Sequence, residues 1–196
     1  GYAVTGAVTF SQPIISMVLG LSQGLSVAAM AIIGQLNGKG AIAEGKRVAA
    51  QIFLFAVMLG IISAPLLLII SITVSRGLQS DIAPYVRQYI SWYSIVLPFS
   101  FLEAVYNGIK NANGKPEAAF TRMTILFILK VVGNFLFLYM LRLEIIGCVL
   151  ASLLANVCIT IWMVYELFIH NSPDKLDVKN FKFDSKIIKE VLKVGF

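Results

Sequence analysis

Two ionisable side chains, Glu103 and Lys130, lie inside long apolar stretches of this sequence. In a lipid bilayer, each charge costs about 2.5 to 3.5 kcal/mol on insertion scales, so it needs a partner or a water-filled cavity. Along helices that cross the bilayer, their depths differ by about 8 Å, most of which a lysine side chain can span. We therefore expect Glu103 and Lys130 to meet inside a helical bundle, as a structural ion pair or as part of a proton-responsive site.

Amide side chains are the other candidates for a pathway through the bundle. Asn134 cannot carry a proton, but it can coordinate a cation or hydrogen-bond a neighbouring helix. Gln35 and Asn107 lie near the ends of apolar stretches, where capping or loop packing is favoured. Interhelical hydrogen bonds from such side chains contribute about 0.6 to 2 kcal/mol. The candidate substrate and ion pathway comprises Asn134, Glu103, Lys130, Gln35 and Asn107.

Five apolar stretches must position these side chains. They are residues 14–36, 48–74, 89–108, 120–141 and 145–169. Each can cross a hydrocarbon layer of about 30 Å as a helix that rises about 1.5 Å per residue. A hydrophobic fraction of 58% with 13% charged residues leaves too little polar surface for a soluble protein of this length. We predict an all-α, multi-pass transmembrane bundle over residues 1–170, with the lipid bilayer as its solvent.

The basic residues indicate how the bundle is oriented. The loops after the first and third stretches are richer in Lys and Arg than the loops that follow the second and fourth, and the tail is the richest. The positive-inside rule then places the tail after His170 in the cytoplasm. Within the tail, residues 171–196, Asp184 can cap a short amphipathic helix that links to a following span. The net charge of +6 therefore reflects membrane orientation and not nucleic-acid binding.

Several function classes have no support in the sequence. His170 is the only histidine, so neither an imidazole-based triad nor a histidine metal site can be assembled. A Walker-type phosphate loop is also absent, so direct use of ATP is unsupported. We expect a protein that is not an enzyme and has no cofactor. The chain begins without an initiator Met and ends as a new apolar stretch starts, so we expect it to be a piece of a longer protein.

The polar segments between the apolar stretches resemble the multidrug and toxic compound extrusion (MATE) family of secondary transporters. In that family, one helix ends in a Gln and a Gly-bearing turn that precede a basic segment. A later helix is followed by an Asn-Gly and a Gly-x-Pro loop. The next helix holds an Asn, and the one after it begins with a Gly-x-x-x-Ala pattern. The corresponding segments here are residues 33–38 with Gly45-Lys46-Arg47, residues 107–116, Asn134 and residues 147–151.

The resemblance implies that the five stretches are family helices two to six, in one lobe of a two-lobe carrier in the cell membrane. It implies export of small organic, often cationic compounds in antiport with H⁺ or Na⁺ by alternating access, and a partner in the form of a second lobe or a second protomer. One branch of the family pairs the Asn with an Asp one turn later in a cation site. That position is Leu138 here.

Two alternatives remain beside multidrug efflux. A flippase of the same superfamily would move lipid-linked oligosaccharides or cell-wall precursors, and it would need a cationic cavity for their phosphates. A half-length membrane protein would transport only as a dimer, or not at all, because a single lobe has no second wall for its cavity.

Overall fold

The computed structural model describes residues 2–78, 81–143, 145–169, 175–176 and 184–195. Its helices are α1 (Tyr2–Gly38), α2 (Ile42–Gly77), α3 (Ala83–Ala112), α4 (Pro116–Asn134), α5 (Ile145–Val164) and α6 (Ser185–Gly195). Short π-helical segments, Phe135–Met140 and Tyr165–Ile169, continue α4 and α5. These described ranges contain no strand, and the predicted all-α bundle is confirmed. His170 and most of the tail that follows it lie outside the described residues.

Four of the described helices are long and apolar enough to cross a membrane. They cover Thr5–Gly38, Ile42–Gly77, Pro116–Met140 and Ile146–Ile169. The predicted span 89–108 lies within α3, which is not among the four because its sequence is richer in polar side chains. The division into five membrane spans and a linker therefore stays a prediction.

Helix α3 occupies the centre of the bundle and contacts α1, α2 and α5. Its burial explains how polar residues such as Ser94 and Lys110 are tolerated, because they face other helices and not lipid. Two glycines allow the close packing. A Cβ atom on Gly108 would lie 2.5 Å from the Ser26 carbonyl oxygen of α1, and one on Gly60 of α2 would lie 2.7 Å from the Pro98 Cα atom. Neither contact is possible for a real Cβ atom, so both positions require glycine for this packing.

Helix α4 has the most exposed surface of the long helices. Ala119 is its one buried residue, and Phe127, Val131 and Val132 are at least half exposed. A lipid bilayer solvates such a surface, and water does not.

Helix α6 begins with the predicted cap. The Asp184 carboxylate accepts a hydrogen bond from the Lys186 backbone N–H at 3.0 Å, which confirms that part of the sequence analysis. On the predicted apolar face, Val191 is fully buried, whereas Leu192 is 42% exposed. This helix packs along α1 and α2, and its end at Gly195 reaches the backbone of Gly24.

Candidate functional site

A cavity of about 180 Å³ lies among α1, α3, α4 and α5. The spacing of its wall residues follows the helical repeat, since residues three or four positions apart share one helix face. On α3 the cavity face includes Glu103 and Asn107, and on α4 it includes Arg122, Leu126 and Lys130. The remaining polar residues of the wall are Ser22, Gln23, Tyr93 and Ser100.

The structure brings three of the five predicted pathway residues to this cavity, namely Glu103, Lys130 and Asn107. Lys130 acts electrostatically on Glu103. No ion pair joins these two side chains in the described part of the chain, and the Glu103 Oε1 atom is buried without a hydrogen-bond partner. The two opposite charges therefore share a cavity without being fixed to each other.

The other two predicted residues lie elsewhere. Gln35 is exposed in the last turns of α1 and does not line the cavity. Asn134 ends α4, one turn beyond Lys130, and its Oδ1 atom is buried without a hydrogen-bond partner in the described residues. The pathway role of all five residues stays a prediction.

Beside the cavity lies a charged cluster that the sequence analysis did not identify. Lys110 is 1% exposed, and its Nζ atom lies 2.8 Å from Glu166 Oε1. The Tyr106 hydroxyl donates a hydrogen bond of 2.8 Å to Glu166 Oε2, and Arg122 pairs with the same carboxylate oxygen. This cluster joins α3, α4 and the π-helical end of α5.

The predicted third span ends at Gly108 and leaves Lys110 in the loop that follows, which is wrong. Helix α3 continues to Ala112 and α4 begins at Pro116, so the loop shrinks to residues 113–115. The sequence could have indicated this cluster through Glu166. It is the only acid between residues 145 and 169, and an acid inside an apolar stretch needs a partner.

Arg122 connects the cluster to the cavity. Its guanidinium group lies 3.7 Å from the ring centroid of Trp162 on α5, in a cation–π arrangement. Arg122 also lines the cavity, and its buried Nε atom has no hydrogen-bond partner in the described ranges. The ion pair and the stacking hold the guanidinium group at the wall.

A second cavity, of about 330 Å³, lies where α1, α2, α3 and α4 end or begin. Asn37 donates a hydrogen bond of 2.8 Å to Asn113, and so joins the α1–α2 turn to the α3–α4 turn. Lys46, Lys115 and Leu176 also line this space. Several residues that produce the family resemblance therefore meet at this second cavity. Their packing between the helix ends accounts for their presence without a bound ligand.

Metal binding has no visible site in the described ranges, which contain no group of three or more His, Cys, Asp or Glu residues placed to hold an ion. The amide and carboxylate oxygens of the 180 Å³ cavity come from Glu103, Asn107 and Gln23. Oxygen atoms of this kind suit a hard cation or a proton better than a transition metal.

The fold is shared with known transporters. A multidrug resistance MATE family transporter of the MOP superfamily matches in its inward-facing conformation with a TM-score of 0.90 at 23% identity, over 100% of this chain and 45% of that chain. Its outward-facing conformation matches with a TM-score of 0.91 at 22% identity, over 97% and 43%.

A MOP superfamily transporter from Pyrococcus furiosus matches with a TM-score of 0.91 at 22% identity, over 100% of this chain and 45% of that chain. That protein is described as having a binding pocket of reverse polarity that suggests a different function. The present chain thus spans less than half the length of the transporters it matches. No curated protein sequence matches it.

The sequence itself identifies the family. The MatE family model matches residues 1–136, which is more than half of the chain. The resemblance drawn from the polar segments is confirmed, and the structural matches have the same all-helical fold. This chain belongs to the MatE family of multi-pass membrane transporters.

Proposed function

We propose that this lobe is part of a secondary exporter that moves organic, often cationic compounds across the cell membrane in exchange for protons or sodium ions. The observation that supports the proposal is the cavity of about 180 Å³ lined by Glu103, whose Oε1 atom has no hydrogen-bond partner among the described residues. Ionisable groups buried in a membrane bundle are typical of substrate and ion pathways. The proposal needs neither an enzymatic step nor a cofactor.

Alternating access fits a lobe that keeps its own fold. Inward-facing and outward-facing relatives match this chain almost equally well. The main movement would then take place between this lobe and a second wall, as in other carriers built from two repeats. The second wall is a second lobe of the same protein or a second protomer.

Glu103 is the proposed coupling residue. It is the one acid on the cavity wall within the described residues, and Lys130 lies near enough to influence its charge. A proton or a sodium ion at Glu103 would neutralise a charge that otherwise interacts with Lys130. Coupling at this position would compensate for Leu138, which stands where one branch of the family has an Asp.

The test uses the full-length protein that contains this lobe, purified and reconstituted in liposomes with ethidium as a fluorescent organic cation. An imposed proton or sodium gradient should drive ethidium movement, and dissipating the gradient should stop it. Glu103→Gln should remove the dependence on the gradient, whereas Glu117→Gln, on the exposed side of α4, should keep it. Ethidium movement that ignores both gradients in the unmodified protein would refute the exporter proposal.

A flippase function is the second candidate, because Arg122 and Lys130 both line the cavity and give it a cationic side. Lipid-linked precursors carry phosphates that such a wall could bind. Lys130→Glu, assayed with a lipid-linked oligosaccharide in the same liposomes, separates the two functions. Loss of lipid movement would favour the flippase, and unchanged lipid movement would count against it.

A further inference from the structure

Two buried polar atoms of opposite kind, on residues that line the cavity, have no hydrogen-bond partner among the described residues. Glu103 Oε1 on α3 accepts hydrogen bonds, and Arg122 Nε on α4 donates one. Both residues line the same cavity of about 180 Å³. A buried polar atom without a partner costs about 1 to 3 kcal/mol. Neither atom is accessible to solvent in this arrangement, so a guest in the cavity would meet the other polar atoms of these two side chains.

The wall also carries ionisable side chains of both kinds. Glu103 is the acid, and Lys130 and Arg122 are the bases. An organic cation would find a partner in Glu103 alone. An anion would find partners in Lys130 and Arg122 alone. A molecule with both charges meets a favourable partner on each side.

Arg122 is held in place by groups outside the cavity. Glu166 pairs with its guanidinium group, and the Trp162 ring stacks against it at 3.7 Å. Glu166 is itself anchored by Lys110 at 2.8 Å and by Tyr106. Glu166 is therefore a positioning residue, which fixes Arg122 at the wall.

We propose that this cavity binds the charged end of an amino-acid-type zwitterion, with its ammonium group at Glu103 and its carboxylate at Lys130 and Arg122. This inference rests on the proposed function, because it names the substrate class of the same cavity. The volume corresponds to about six water molecules at about 30 Å³ each, which suits a small charged group and not a whole drug-sized compound. The rest of the substrate extends beyond this lobe.

The test measures equilibrium binding to the purified full-length protein, without any gradient, by isothermal titration calorimetry. Three probes share one aromatic ring: phenylalanine is a zwitterion, phenylalanine methyl ester is a cation and N-acetylphenylalanine is an anion. Phenylalanine should bind at least about tenfold more tightly than either derivative, a difference of about 1.4 kcal/mol. Equal binding of the three probes, or no binding of phenylalanine, would overturn the inference.

Two variants assign the charges. Glu103→Gln should abolish the advantage of phenylalanine over N-acetylphenylalanine, and Lys130→Gln should abolish its advantage over the methyl ester. Lys189→Gln, on the exposed side of α6, should change neither ratio. If both cavity variants weakened the three probes equally, the residues would act only through the stability of the lobe. The comparison of probes in the unmodified protein does not depend on the folding of any variant.

Binding of zwitterions and gradient-driven export can each fail without the other. Gradient-driven ethidium movement without a preference for phenylalanine would overturn the zwitterion inference alone. Zwitterion binding without gradient-driven movement would overturn the exporter proposal alone.

Discussion

At the residue scale, Lys110 and Glu166 illustrate why charge burial in a membrane bundle needs a partner. Lys110 is almost completely buried, and the carboxylate of Glu166 lies 2.8 Å from its ammonium group. Glu166→Gln should lower the free energy of unfolding by about 3 kcal/mol, because breaking one side of a buried pair leaves the other charge uncompensated. Chemical denaturation of the purified protein in detergent measures this loss.

A double-mutant cycle provides the control. Lys110→Met combined with Glu166→Gln should be less destabilised than the sum of the two single variants, because the double variant has no stranded charge at this pair. Glu190→Gln, on the exposed side of α6, should change the unfolding free energy by less than about 0.5 kcal/mol. Additive effects of the two cluster variants would contradict the pairing.

Some of the candidate site was accessible from the sequence. Glu103 and Lys130 could be singled out because charges inside apolar stretches are penalised, and the structure places both at one cavity with Asn107. The cluster of Lys110, Arg122 and Glu166 was missed. Predicted helix ends are uncertain by a few residues, and that uncertainty left the buried Lys110 outside the third span.

At the scale of the helices, the crossing of α1 and α3 depends on Gly108. A methyl group at this position would lie 2.5 Å from the Ser26 carbonyl oxygen. Gly108→Ala should therefore destabilise the protein by about 1 to 3 kcal/mol through overpacking. Gly34→Ala is the matched control, because nothing lies within 4 Å of the added atom, and alanine favours a helix. Thermal unfolding should separate the two variants, and equal melting temperatures would contradict the close crossing.

The docking of α6 depends on Asp184. This residue caps the helix and also pairs with Arg47 at 3.0 Å, although the Arg47 side chain is 54% exposed. Asp184→Ala should lose about 1 kcal/mol of capping, whereas Asp184→Asn should keep the cap and lose only an exposed ion pair. Hydrogen exchange of the α6 amides should therefore accelerate more in Asp184→Ala. Identical exchange in the two variants would show that the cap does not stabilise α6.

The helices themselves were more predictable than their ends. Long apolar runs indicated where helices lie, since a bilayer leaves few alternatives to a helix. The course of α1 through Pro13 and the π-helical ends of α4 and α5 gave no comparable signal. Such local features depend on packing against neighbouring helices, which a single sequence does not reveal.

At the scale of the whole molecule, the distribution of basic residues predicts which loops face the cytoplasm. Lys39 lies in the exposed α1–α2 turn and Asp81 in the exposed α2–α3 turn. In a background with Cys148→Ser and Cys158→Ser, Lys39→Cys should react with a membrane-impermeant thiol reagent only from the cytoplasmic side. Asp81→Cys should react only from the opposite side. Labelling of both positions from one side would contradict the predicted orientation.

We expect the cavity beside Glu103 to lie on the transport pathway. The most direct measurement is the accessibility of Ser100→Cys, on the cavity wall, to a small hydrophilic thiol reagent in the full-length protein lacking Cys148 and Cys158. We expect the cysteine to react, transported substrate to slow the reaction, and an imposed ion gradient to change the side of access. A cysteine that reacts from neither side, in a protein that still transports, would contradict this expectation.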